Sequence, residues 1–218
     1  MKKLLLASAI SALAAGGALA QSAGTVNIGV LLGFTGPIES LTPHMADGAE
    51  LAMAEVNAAG GILGGTMINP VRADDGCIDS ALAQASAERL VTSDNVIAIM
   101  GADCSGVTRA VLENVAMANG IPMISPSATS PGFSTFDSGG LFYRTAPSDA
   151  RQGQVLADIV MRRGIDTVAV THTNNDYGLG LATAFTEAFT AAGGTVTATV
   201  PHEEAKGDYS AEVGALAA

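Results

Sequence analysis

Tryptophan is absent from the 218 residues, and aromatic side chains make up only 4% of them. A core built on large rings is therefore excluded. The abundance of Gly and Ala suits close helix-on-sheet packing better than a sandwich filled with bulky residues. Cations are scarce: 10 Lys and Arg stand against 21 Asp and Glu, a formal net charge of −11. Without Lys2 and Lys3 the balance becomes −13. So acidic a surface repels phosphate backbones and anionic lipid, which argues against nucleic acid as a partner. Beyond the N-terminus no apolar stretch reaches the roughly 20 residues that a bilayer-spanning helix needs, so membrane insertion is not expected.

Motifs of catalysis are also missing. Gly178-Leu179-Gly180 opens a helix after a strand, but the third glycine position of a dinucleotide fingerprint holds Thr183. Position 103 is Asp, so no GxSxG surrounds Ser105. No P-loop, HExxH or CxxC occurs, and His44, His172 and His202 are dispersed. The acidic pairs Asp74-Asp75 and Glu203-Glu204 read as solvated. Nothing brings a nucleophile to a base or gathers metal ligands, so neither an enzyme nor a metal or cofactor site is expected.

What is present begins with a leader. Met1-Lys2-Lys3 supplies positive charge, Leu4 to Ala15 is an unbroken run of apolar and small residues, and Ala18-Leu19-Ala20 offers a small-x-small cleavage site. Residues 1–20 read as a signal peptide cleaved after Ala20, with the periplasm as destination. Gln21 is not a cysteine, so no lipid anchor is expected there. In an oxidising compartment the pair Cys77 and Cys104 reads as a disulfide, the alternative being two free buried thiols.

Strand-like and helix-like stretches alternate throughout. Strands are expected at Thr25–Leu32, Met67–Asp74, Val96–Gly101, Ile121–Ser125 and Leu141–Arg144. Helices are expected at Asp47–Asn57, Ser80–Thr92 and Ser105–Asn119. Apolar strands separated by helices imply a parallel sheet covered on both faces, a doubly wound α/β layer. The pattern then restarts with helix Asp149–Arg163, strand Thr167–His172, helix Tyr177–Ala192, strand Thr195–Val200 and a helix from Asp208. Residues 21–143 form the expected first lobe. Residues 144–218 form a crossover and a second lobe with too few strands to close a core, which reads as C-terminally incomplete.

In such sheets ligands sit beyond the carboxyl ends of the strands. Three loops qualify: Gly33–Pro37, Ala102–Gly106 and Ser125–Pro131. Ser105 opens a helix, where unpaired N–H groups favour a carboxylate, although capping its own helix is an equal reading. The second and third loops offer hydroxyls, and the prolines stiffen the last of them.

Seven segments in order resemble the periplasmic branched-chain amino-acid-binding proteins of ABC importers. They are Ile28–Leu32 with Thr35-Gly36-Pro37, Asp47–Ala52, Asn57–Ile62, Cys104-Ser105-Gly106, Met123–Pro131, Arg144–Asp149 and Asp176-Tyr177-Gly178. The resemblance implies a type I periplasmic-binding fold whose two α/β lobes close on a ligand. It implies that Ser105, Ser127, Ala128 and Thr129 hold the head group of an amino acid and that Tyr177 lines the cleft from the second lobe. It also implies the disulfide Cys77–Cys104, a membrane permease as partner and a monomer. An aromatic that many relatives carry after the TGP loop falls near Leu41. The acid that usually pairs with the ammonium is expected beyond Ala218. The same first-lobe motifs also serve carriers of amides, urea or aromatic acids; an exported sensor or enzyme on this scaffold is the remaining alternative. Mass spectrometry of the exported protein is expected to read Gln21 as the first residue; retention of residues 1–20 would contradict the leader.

Overall fold

The computed structural model describes residues 24–218, so the leader assignment lies outside the described residues. Strands β1 (Thr25–Leu32), β2 (Met67–Asp74), β3 (Val96–Gly101), β4 (Met123–Ser125) and β5 (Phe142–Arg144) form one sheet, ordered β2-β1-β3-β4-β5. All four pairings are parallel. Strand order reverses between β1 and β3, and a crevice opens at such a switch point.

Strand β1 shows why its sequence is a near-continuous apolar run. Leu31 faces a cluster with Ile99, Leu90, Val111 and Met123, all fully or almost fully buried. Val30 and Leu32 point to the opposite face, against Ala46 of α1 (Thr42–Ala58). Period-two alternation with both faces covered requires hydrophobic residues at every position. On the first face lie α2 (Ser80–Thr92) and α3 (Ser105–Val111), continued by a π turn at Leu112–Ala116 and by α4 (Met117–Asn119).

Helix α1 starts five residues before the expected Asp47. Pro43 sits in its first turn, where a missing N–H costs nothing, and the fully buried Thr42 donates its hydroxyl to Gly33 O at 2.8 Å. The π turn inside the expected helix Ser105–Asn119 has no counterpart in the hydrophobic periodicity. Gly101 ends β3 with φ +136°; a Cβ there would meet Leu31 O at 2.0 Å. Only glycine permits that approach of β3 to β1.

The second unit comprises α5 (Asp149–Arg162), β6 (Thr167–Thr173), α6 (Asp176–Ala191), β7 (Thr195–His202) and α7 (Ser210–Leu216), with β6 and β7 paired in parallel. Its core is small: Ala157, Phe185 and Phe189 are buried against Val160, Val168, Val170 and Val196. A Cβ on Gly153 would lie 2.6 Å from Phe185 N, so α5 and α6 pack almost backbone to backbone. Arg144, where the family resemblance places the start of the crossover, is the last residue of β5. Among the described residues no helix is long and apolar enough to cross a membrane.

Cys77 and Cys104 are joined in a disulfide with Cα atoms 5.2 Å apart, tying the β2–α2 loop to the start of α3. Closing a loop of 27 residues stabilises by roughly 3–4 kcal/mol in the chain-entropy model. Reduction, or the double change Cys77→Ala and Cys104→Ala, is expected to lower stability by about that amount in denaturant titrations. An unchanged midpoint would show that the bond constrains nothing.

Candidate functional site

A cleft of about 880 Å³ lies above the carboxyl ends of β1 and β3, with the N-terminal turns of α5 and α6 on its other side. Ser105, Ser127, Thr129 and Tyr177 all line it. Ala128 does not. It is fully buried, its N–H donates to Ser125 Oγ at 2.9 Å, and its carbonyl accepts from Arg144 Nη1 at 3.0 Å. Ala128 therefore supports the loop from below rather than facing the cleft.

Ser105 is not the cap of its helix. Cys104 holds that position with extended backbone, and Ser105 is the first helical residue. Its nearly buried hydroxyl oxygen accepts the Ser130 N–H at 3.1 Å. A hydroxyl that accepts a hydrogen bond still has its own proton to donate. Thr129 has the opposite polarity: its Oγ1 donates to Asp149 Oδ2 at 2.7 Å, leaving oxygen lone pairs to accept. Ser127 Oγ donates to Asp103 O at 3.0 Å. Arg144 clamps the loop through Ala128 O, Ser130 O at 2.9 Å and Ser134 Oγ at 2.8 Å.

Asp149 was not singled out from the sequence, yet it is almost fully buried and lines the cleft. It occupies the first turn of α5, after the cap residue Ser148, where the helix dipole favours a negative charge. Its N–H also donates to Thr129 O at 2.9 Å. The signal available was an acid directly following a capping serine. Tyr177 is 41% exposed, and its phenol is raised above the ordinary tyrosine range by burial and by the Asp149 charge, so it stays neutral.

The expectation that Asp74 and Asp75 are both solvated fails for Asp75, which is fully buried. It lies against Asp103, whose carboxylate accepts Gly33 N–H at 2.7 Å and Cys104 N–H at 2.6 Å. Burial raises the Asp103 carboxyl above its ordinary value, and those two donors oppose the rise. Asp75 accepts Cys77 N–H at 2.8 Å, but its Oδ2 is buried without a partner. Burial, and then the neighbouring Asp103 charge, push Asp75 up to about 8, so it holds a proton at neutral pH. Glu204 departs from the solvated reading as well: it lines the cleft, and its Oε2 is buried without a partner. The sulfurs of Cys77 and Cys104 lie near the Asp103 carboxylate but are spent in the disulfide.

A parallel sheet with a cleft at its switch point, roofed by a second α/β unit, has the geometry of a small-molecule site. Residues 25–218 match the family model described as periplasmic binding protein, and the chain belongs to that family, with the type I fold. It is 32% identical over 191 residues to the Leu/Ile/Val-binding protein homolog 3 of Brucella melitensis, covering 87% of this chain and 50% of that protein. The branched-chain amino acid transporter substrate binding protein LivJ from Streptococcus pneumoniae, solved with isoleucine, superposes with a TM-score of 0.71 at 30% identity. That match covers 87% of this chain and 53% of the other. An ABC transporter solute binding protein from R. palustris, solved with benzoate, shares the fold with a TM-score of 0.74 at 24% identity, covering 88% and 52%. The chain thus spans about half the length of the curated relatives it matches.

The Asp75 proton gives a test. An acid raised in the folded state binds its proton more tightly there than in the unfolded chain. Its contribution to stability therefore falls as pH climbs from about 4, its ordinary value, to about 8, and then levels. Relative to Asp75→Asn, the wild-type melting temperature is expected to fall between pH 5 and pH 9. Parallel pH profiles for the two proteins would refute the buried proton.

Proposed function

We propose that the chain is the solute-binding part of a periplasmic carrier that delivers a small amino acid, branched-chain by preference, to an ABC permease. The observation that carries this reading is the opposite polarity of two hydroxyls on one cleft. Ser105 retains a proton to donate to a carboxylate. Thr129, its own proton committed to Asp149, presents lone pairs to an ammonium. A zwitterion satisfies both groups, and Asp149 supplies the countercharge behind Thr129.

In this reading Ser127 and Tyr177 complete the polar wall, and Ala128 acts as buried support. Residues up to Arg144, the end of β5, form the first lobe; from Thr145 the chain crosses to the second. Ile38, Leu41, Met45 and Ile78 make an apolar wall suited to an aliphatic side chain. Closing the second lobe over the solute removes water, so every charged end must then be paired. A buried group left unpaired costs about 1–3 kcal/mol, which discriminates against solutes lacking either end. Capture by hinge closure needs no bond-making residue, and the protein acts as a monomeric binder rather than an enzyme.

Benzoate offers a carboxylate but no donor for Thr129 and Asp149. Support for the amino-acid reading thus comes from the site, alongside relatives whose names specify Leu, Ile and Val. Calorimetry of the complete gene product is expected to show binding of L-leucine, L-isoleucine or L-valine and none of benzoate. Ser105→Ala and Thr129→Val are each expected to weaken binding about 10- to 100-fold, the worth of a hydrogen bond to a charged group. Leucine's deaminated analogue, 4-methylpentanoate, should bind weakly to the wild type and lose little further in Thr129→Val. Preference for benzoate over every amino acid would overturn the assignment.

A further inference from the structure

The two units also touch at a place that includes neither proposed head-group hydroxyl. Arg109 of α3 donates from Nε to Asp176 Oδ2 at 2.6 Å, at the first residue of α6. Its Nη1 reaches Glu113 Oε1, one turn along its own helical run, at 3.2 Å. The guanidinium lies over the rings of Phe133, at 4.9 Å, and Phe136, at 5.2 Å. Only 27% of its side chain is exposed. A planar cation held on aromatic faces is already oriented, so its ion pair costs little further entropy.

The backbone fits the same contact. A Cβ at Gly180 would lie 2.8 Å from Pro131 Cδ and 3.1 Å from Ser130 Oγ. Helix α6 is thus seated directly on the turn that follows Thr129. At Gly132, a Cβ would come within 2.9 Å of Arg109 Nη2, so that glycine leaves room for the guanidinium. Tyr177 follows Asp176 in the chain, and the position of one sets the position of the other.

We propose that Arg109 is a positioning residue for closure: by holding Asp176 it keeps α6, and Tyr177 with it, against the first unit before any solute arrives. The inference rests on the carrier reading above. A contact that exists in the closed arrangement and not in an open one raises the closed population, and apparent affinity rises with that population. Arg109 and Asp176 themselves line the cleft, so their effect through closure is separated from any direct contact with the solute by reading the lobes without solute.

The test uses the complete gene product with one spin label on each lobe and no solute, reading the interlobe distance distribution. Arg109→Gln, Asp176→Asn and Gly180→Val are each expected to shift it to longer separations. Arg109→Lys, which keeps the charge, should restore part of the short-distance population. Affinity for L-leucine should fall roughly 1.5- to 5-fold in the first two variants, the span expected of a partly exposed ion pair. That loss should lie in faster dissociation, and the double variant Arg109→Gln with Asp176→Asn should lose little more than either alone. Asp176→Asn alters only a partly exposed side chain, so it decides the matter should Arg109→Gln fail to fold. Distance distributions unchanged in Asp176→Asn, or losses that simply add in the double variant, would overturn the clasp. Because the distances are read without solute, they decide the clasp even if no amino acid binds, an outcome that would defeat only the carrier reading.

Discussion

The loops above β1, β3 and β4 are tied to one another by hydrogen bonds that cross between them. Asp103, after β3, accepts the Gly33 N–H from the β1 loop, and its carbonyl accepts the Ser127 hydroxyl from the β4 loop. Ser105 accepts the Ser130 N–H, and Ser125 Oγ donates to Ala102 O. The disulfide adds a covalent link from the β2 loop. Each loop alone is a short polar turn with many conformations. Tied together they form one surface, and a preorganised surface loses little entropy when a solute arrives.

The same ties require charge to be buried. Asp103 accepts two main-chain N–H groups, which favour its charge against the cost of burial, while Asp75 beside it keeps a proton. A second anion at that depth would face both desolvation and repulsion. The proton on Asp75 is thus part of what allows the three loops to meet. On the other side of the cleft Asp149 plays a different part, since its carboxylate sets the direction of the Thr129 hydroxyl. The Asp75–Asp103 pair and Asp149, in two environments, prepare two different features of one cleft.

The fold was legible where local pattern decides it. Strands β1, β2 and β3 and helix α2 span the residues that alternation and apolar runs indicate. Helix α1 starts ahead of the expected Asp47 because Pro43, a break in a helix interior, is compatible with a first turn. The candidate site was legible in part. Ser105, Ser127, Thr129 and Tyr177 share the cleft, but Ala128 lies beneath it. Asp103, Asp149 and Arg109 were not marked as site residues for a common reason. Their partners lie far along the chain: Asp103 bonds Gly33, 70 residues away, and Arg109 bonds Asp176, 67 residues away. Apart from the capping serine before Asp149, nothing in the neighbouring residues distinguishes a carboxylate that will be buried and paired from one that will be solvated.

The central claim is that Ser105 donates and Thr129 accepts toward the two ends of a single solute. A crystal structure of the complete protein grown with L-leucine tests it most directly. The account predicts a carboxylate within hydrogen-bonding distance of Ser105 Oγ and an ammonium at Thr129 Oγ1. A solute lodged elsewhere in the cleft, or with its head group turned away from both hydroxyls, would contradict it.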